Sequence, residues 1–151
     1  MEYPVPPLFS SRLQLEALAY WSAARSAGGA VPPFGAFNPC DVPHLLANVV
    51  LYDVLEGPRD FRYRLVGGEV RDRLHGNPVG MHCSMLPHQD QRSRIWRKLS
   101  EVADSGRPSY HAVEYIGPDT NVRGQQSLVL PYSRGGDRID TLLAVAEFVR
   151  R

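Results

Sequence analysis

The sequence predicts an α+β domain: one antiparallel sheet of five strands, with helices packed on one face and an N-terminal capping helix. Three observations lead there. The apolar periodicity runs helix, two strands, helices, then three strands, which is not the βαβ repeat of a doubly wound parallel sheet. The turns between neighbouring strands are short and rich in Gly, Pro and Asp, as antiparallel hairpins require. The chain has 151 residues, 43% hydrophobic and 22% charged, which is the size and composition of a single globular domain.

Residues 1–10 hold three prolines and predict an extended lead-in. Ser11 to Arg25 is the first helix. Ser11 and Gln14 fit a capping box, and Leu13, Ala17, Tyr20, Trp21 and Ala24 recur at helical spacing. Leu15 and Leu18 widen that apolar face, so a homodimer contact through Ser11–Arg25 is expected as well as a cap. Gly28-Gly29 through Pro39 is a breaker zone, and Asp41 to Leu46 reads as one or two helical turns capped by Asp41.

Val49–Leu55 is a strand interrupted only by Asp53, and Phe61–Val66 alternates, with Phe61, Tyr63 and Leu65 on one face. Gly67-Gly68 ends the second strand and Glu69–Leu74 predicts a short helix, followed by a loop from Gly76 to Pro87. Asp90 to Ser105 is the second long helix, with Ile95, Leu99, Val102 and Ala103 as its buried stripe and Gly106 and Pro108 as its stop. Ser109–Ile116, Gln125–Tyr132 and Ile139–Val149 then form a three-stranded meander.

Charge excludes some functions. Lys+Arg 17 against Asp+Glu 16 leaves a formal net charge of +1, too little for a general nucleic-acid coat or a polybasic membrane binder. No apolar run reaches the length of a membrane-spanning helix. Two cysteines, Cys40 and Cys83, make no disulfide framework, and no charged-then-apolar leader opens the chain, so a cytoplasmic location is expected.

The strand–strand–helices–three-strand order is that of PAS domains. The stretch Asn38-Pro-x-Asp41-x-Pro43-His44-Leu-Leu46, then Phe61-Arg-Tyr-Arg-Leu-Val-Gly67 and Gly80, resembles a family of small bacterial PAS-like proteins. Tyr20-Trp21 upstream and the long helix ending at Gly106-Arg-Pro108 suit it too, so the resemblance spans roughly residues 18–149. It implies a PAS-like sensor fold, usually cytoplasmic and often without an attached output domain. On this reading, residues 1–37 are an N-terminal extension with an amphipathic helix, and residues 38–151 are the PAS-like domain.

The loop Gly80-Met-His-Cys83-Ser-Met-Leu86 is similar in outline to the flavin-binding loop of light-oxygen-voltage domains. It departs from that loop at His82, Ser84 and Pro87, and Ile139–Val149 lacks the amide side chains a flavin ring needs. Cys83 therefore reads as a structural cysteine. His82, His88 and His111 are candidate haem ligands, but their spacing matches no zinc motif. We expect no cofactor, with haem and flavin as the alternatives, and no metal site.

No nucleophile elbow, H-E-x-x-H or Walker loop is present. Asp53 and Glu147 are the odd carboxylates in strands, and the rival reading is a small isomerase or hydrolase that uses Asp53 or a histidine as its base. A third reading is an interaction adaptor with a solid core. Arg92, Arg94, Arg97 and Lys98 read as a solvated helix face, not a nucleic-acid contact.

A pocket, where one forms, should lie between the inner sheet face and the central helices. Tyr63, His82, Cys83, Trp96, Tyr110, His111 and Tyr132 are its candidate lining. The expected function is a non-enzymatic sensory module that binds a small ligand, a protein partner, or both.

Overall fold

The computed structural model describes residues 11–25, 31–115, 117–134 and 138–150. The extended lead-in, the Gly28-Gly29 breaker, the end of the third strand at Ile116 and the Gly135-Gly136-Asp137 turn lie outside them.

Helix α1 spans Arg12–Ala23. Its capping box is complete: the Ser11 hydroxyl accepts from the Gln14 N–H, and the Gln14 side chain accepts from the Ser11 N–H. Strands β1 (Val49–Leu55) and β2 (Asp60–Val66) form the expected hairpin. A short helix α2 covers Gly68–Arg71, and α3 runs Arg94–Ser105. It starts four residues later than the sequence suggests, because the Ser93 hydroxyl takes the Trp96 N–H and fixes the N-cap there. Its end is as expected, with Gly106 in the left-handed region at φ 68°.

Strands β3 (Ser109–Glu114), β4 (Val122–Tyr132) and β5 (Thr141–Arg150) complete one antiparallel sheet in the order β2-β1-β5-β4-β3. The segment from Asn38 to Asn48 is two 3-10 turns, Pro39–Asp41 and Pro43–Asn48. The second has Val42 at its N-cap with no side-chain bond, so the expected Asp41 cap is not made, and Asn38 caps the first by accepting from the Cys40 N–H. Asp41 instead accepts a hydrogen bond from the Tyr20 hydroxyl at 2.8 Å.

The centre of the sheet is buried on both faces. On the inner face, Val50, Tyr52, Val54, Val129, Ala144 and Ala146 meet Val70 of α2 and Trp96, Leu99 and Val102 of α3. On the outer face, Val49, Leu51, Leu128, Leu130, Leu143 and Val145 meet Ala17 and Trp21 of α1 and Leu45 of the second 3-10 turn. The unbroken apolar run Leu142–Ala146 in β5 needs both covers, since successive side chains point to opposite faces. The central helices therefore share one face, while the N-terminal helix caps the other.

Two local expectations are corrected. The buried line of α1 is Gln14, Ala17 and Trp21, with Leu13 and Tyr20 only partly covered. Gln14 belongs inside because its Nε2 donates to the carbonyls of Gln126 and Val145, at 3.0 and 3.1 Å. Leu65 does not join Phe61 and Tyr63. A bulge leaves Arg64 unpaired between the pairs Leu51–Leu65 and Tyr52–Tyr63, which carries Leu65 to the outer face, where it is 40% exposed.

Gly67 closes this region. A Cβ there would stand 2.1 Å from the Leu46 carbonyl oxygen, so only glycine lets β2 end against the 3-10 turn.

Candidate functional site

The inner face carries small residues at adjacent places on its two central strands. Ser127 of β4 pairs with Ala146 of β5, and Val129 pairs with Ala144. Facing helix α3 across this shallow floor leaves a cavity of about 100 Å³. Its apolar wall is Val50, Val70, Leu74, Ile95, Leu99 and Val129. Its polar wall is Tyr52, Tyr63, Gln89, His111, Gln125 and Ser127, with Tyr115, Pro87 and His88 completing the ring.

The polar groups fall into two sets. Tyr52 and Tyr63 stack obliquely across the β1–β2 pair, with ring centroids 4.8 Å apart. The Tyr63 hydroxyl donates to Gln89 Oε1, and the Cys83 thiol approaches the same oxygen at 3.8 Å. Burial raises the pKa of both tyrosines, so both stay protonated. On the other side, His111 of β3 pairs directly with Ser127 of β4, and Gln125 Nε2 donates to the Ser127 hydroxyl oxygen at 3.1 Å.

His111 is only 9% exposed, and its Nδ1 is buried without a hydrogen-bond partner among the described residues. Burial pushes its pKa down to about 4, helped by Lys98 and Arg94 of α3 and opposed by Glu101. The imidazole is neutral at physiological pH. A buried polar atom with no partner among the described residues is costly.

Of the seven residues the sequence offers as lining, Tyr63 and His111 face this cavity. Trp96 packs edge-on against Phe61, with centroids 4.9 Å apart, and fills the core. Tyr132 lies on the outer face in a cluster with Phe34 and Phe37, and Tyr110 packs against that same outer core. Strand alternation sends both away from the cavity.

His82 is turned towards Asp60, 3.3 Å from its carboxylate, which also takes the Ser84 N–H and hydroxyl. Burial alone would raise the Asp60 pKa, but the bonds from Ser84, Phe61 and His82 outweigh it and lower it. Cys83 is fully buried behind Tyr52 and Tyr63, and burial pushes its thiol up to about 12.

Five polar lining residues escape the sequence reading, Tyr115 among them. Tyr52 and the pair Gln125 and Ser127 sit at alternate positions of their strands, on the same face as Val50 and Val129, so periodicity carries a signal for them. Gln89 lies in an irregular segment next to His88, whose φ is 65°, and no period marks it.

The carboxylates do not reach the cavity. Asp53 is on the outer face, bonded to Arg62 and Arg64, with Arg64 also donating to the Thr141 hydroxyl. Burial would raise the Asp53 pKa, but the two arginines override it and hold it ionised. Glu147 does not line the cavity either. On α3, Lys98 pairs with Glu101 at 3.3 Å, as a solvated face would. Among the described residues no group of three His, Cys, Asp or Glu side chains could hold a metal ion, and no helix is long and apolar enough to cross a membrane.

A five-stranded antiparallel sheet in the order β2-β1-β5-β4-β3, with helices on its inner face, is the PAS arrangement. The chain matches the PAS domain family over residues 9–145 and belongs to that family. No curated protein matches it. A fungal LOV domain photoreceptor is similar over 89% of this chain and 91% of its own, with a TM-score of 0.51 and 10% identity. The LOV protein of Rhodobacter sphaeroides is similar over 93% and 70%, with a TM-score of 0.43 and 15% identity. The fungal likeness shows the fold alone, and the second is too distant to carry an argument.

The burial of His111 has a pH signature. Its native pKa, about 4, lies below the unfolded value of about 6.5, so as pH falls the unfolded chain takes the proton first. Stability is lost between pH ~6.5 and ~4, by about 1–3 kcal/mol in total. Urea unfolding across that range is expected to show this slope in the parent and a shallower one in His111→Gln. Equal slopes in the two would place the acid sensitivity elsewhere.

Proposed function

We propose that this chain is a cytoplasmic, non-enzymatic sensory module that responds to a small molecule held in the inner-face cavity. The observation that carries the reading is the cavity itself, about 100 Å³ between the inner sheet face and α3, with His111 and Ser127 among its lining. A ligand that fills it stabilises the arrangement of α3 and of the Pro87–Gln89 wall against the sheet. The altered surface is then read by a protein partner, since a ligand shifts a conformation by binding one state better than another.

Flavin and haem do not fit these residues. Cofactor pockets usually span roughly 300–1,000 Å³, and the cavity is about 100 Å³. An outer groove of about 460 Å³ shares Leu74, Pro87, His88 and Gln89 with the cavity, so a flavin or haem would have to reach across these residues to occupy both spaces. The Cys83 thiol is not in the cavity wall, and of the candidate axial histidines His82 is bonded to Asp60 while His88 and His111 line the cavity. The enzyme reading lacks its base, because Asp53 is on the far face between two arginines and no carboxylate lines the cavity. The adaptor reading requires a solid interior, which the floor of Ser127, Ala144 and Ala146 does not supply.

Amide NMR spectra of the labelled protein with a library of small fragments test the reading. Fragments that bind are expected to shift resonances around His111, Ser127 and Val129, and Ala146→Leu, which fills the floor, is expected to abolish those shifts. A library without one such fragment would overturn the proposal.

The homodimer expected through Ser11–Arg25 narrows to one contact. Leu18 is half-buried against the outer core, which leaves Leu15, 47% exposed, as the exposed large apolar side chain of α1. Leu15→Asp is expected to dissociate such a dimer in sedimentation velocity while leaving the fold intact. A dimer of unchanged affinity would use another surface.

A further inference from the structure

The inner cavity and the outer groove meet at one wall. Leu74, Pro87, His88 and Gln89 line both, and the groove, at about 460 Å³, continues from them past Leu86 and Met81. Of these four residues, Gln89 carries a polar group held by side-chain bonds. It is half-buried, and its Oε1 accepts from the Tyr63 hydroxyl and from the Cys83 thiol, the latter at 3.8 Å.

Both of those partners are protonated, because burial raises the pKa of each, so both present a donor and the Gln89 amide lies with its oxygen towards them. The Nε2 then points elsewhere. It has no hydrogen-bond partner among the described residues, and unlike His111 Nδ1 it is not a fully enclosed atom. Gln89 therefore offers an oriented donor, within reach of an occupant, where the two spaces join.

Neither space is lined by Asp, Glu, Lys or Arg, so an ionised group finds no carboxylate, ammonium or guanidinium to pair with in either. Leu74, Met81 and Leu86 give the groove an apolar wall, and Met81 is 45% exposed. The shared wall lies in no helix or strand, and His88 holds φ 65°, a left-handed value that costs a non-glycine residue. Such a wall adjusts to a narrow chain at less cost than to a fused ring system.

Resting on the small-molecule reading above, we propose that the ligand spans cavity and groove and is an uncharged, unbranched amphipathic molecule read by Gln89. Its acceptor oxygen meets Gln89 Nε2, its short end lies in the inner cavity, and its alkyl chain runs along the groove beside Leu86 and Met81. The class is that of medium-chain ketones, esters and amides.

2-Octanone has this shape. 2-Butanone keeps the carbonyl end without the chain, and octanoate puts a negative charge in place of the ketone. Each is titrated into the full-length labelled protein and followed by NMR of the backbone amides, the Gln89 side-chain amide and the Met81 methyl. 2-Octanone is expected to shift the Gln89 and Met81 signals saturably, and to bind at least tenfold more tightly than 2-butanone, since its further methylenes leave water. Octanoate is expected to leave both signals unmoved.

Gln89→Met keeps the length of the side chain and loses the amide, and is expected to weaken 2-octanone about fivefold, as one hydrogen bond would give. Met81→Asp, on an exposed side chain, is expected to weaken 2-octanone and leave 2-butanone unchanged. The Gln89 amide shift in the parent protein reads the same contact without any substitution. A 2-octanone that binds no more tightly than 2-butanone would overturn the groove, one that leaves the Gln89 amide unmoved would overturn the contact, and octanoate binding at these residues would overturn the uncharged class. Other fragments that shift Ser127 and Val129 while 2-octanone does not bind would sink this inference and leave the cavity as the sensory site. If no fragment reaches the cavity, both fall.

Discussion

The structure depends on a sheet whose central strands are buried on both faces. Leu142–Ala146 of β5 presents an apolar side chain to each side in turn, and β1 does nearly the same from Val49 to Leu51. Neither face can meet water, so each needs a cover, and the two covers differ. The outer one is pinned by directional bonds: Gln14 to two strand carbonyls, the Trp21 indole to the Pro131 carbonyl at 2.7 Å, and the Tyr20 hydroxyl between Asn38 and Asp41. The inner one rests on packing across small floor residues. Space for a ligand, and freedom to respond to one, are consequently concentrated on the inner face.

That division gives the resemblance motif a physical sense. Tyr20-Trp21, Asn38 and Asp41 are far apart in sequence, yet they meet on the outer face, where Tyr20 accepts from the Asn38 N–H and donates to Asp41. Phe34 and Phe37 close over Tyr132 beside them. These residues hold the cap to the sheet. They say nothing of the ligand, which is why a family pattern so specific in sequence leaves the chemistry open.

Much of the fold is legible in the sequence. The Ser11 capping box, the strand Val49–Leu55, the Gly106 stop and the closing meander follow from local rules: side-chain capping, period-two alternation and the left-handed freedom of glycine. Two of the local misreadings, Gln14 and Leu65, come from long-range causes, while the late start of α3 comes from the Ser93 cap. Gln14 is buried because strand carbonyls more than a hundred residues away await a donor, and Leu65 changes face because of one bulge. The cavity is harder to read. Whether Tyr132 or Tyr52 faces it depends on which sheet face the helices choose, and alternation alone cannot tell inner from outer when both are apolar. Gln89 has no periodic signal at all.

The central claim is that the inner cavity is a small-molecule site and not the seat of a large chromophore. The most direct measurement is an absorption spectrum and a native mass spectrum of the same freshly purified sample. The account predicts a protein with no flavin or Soret band, at the mass of its chains or with the added mass of a small molecule. A flavin or haem band with the matching added mass would contradict it, and would mean that the Pro87–Gln89 wall opens far beyond the cavity described above.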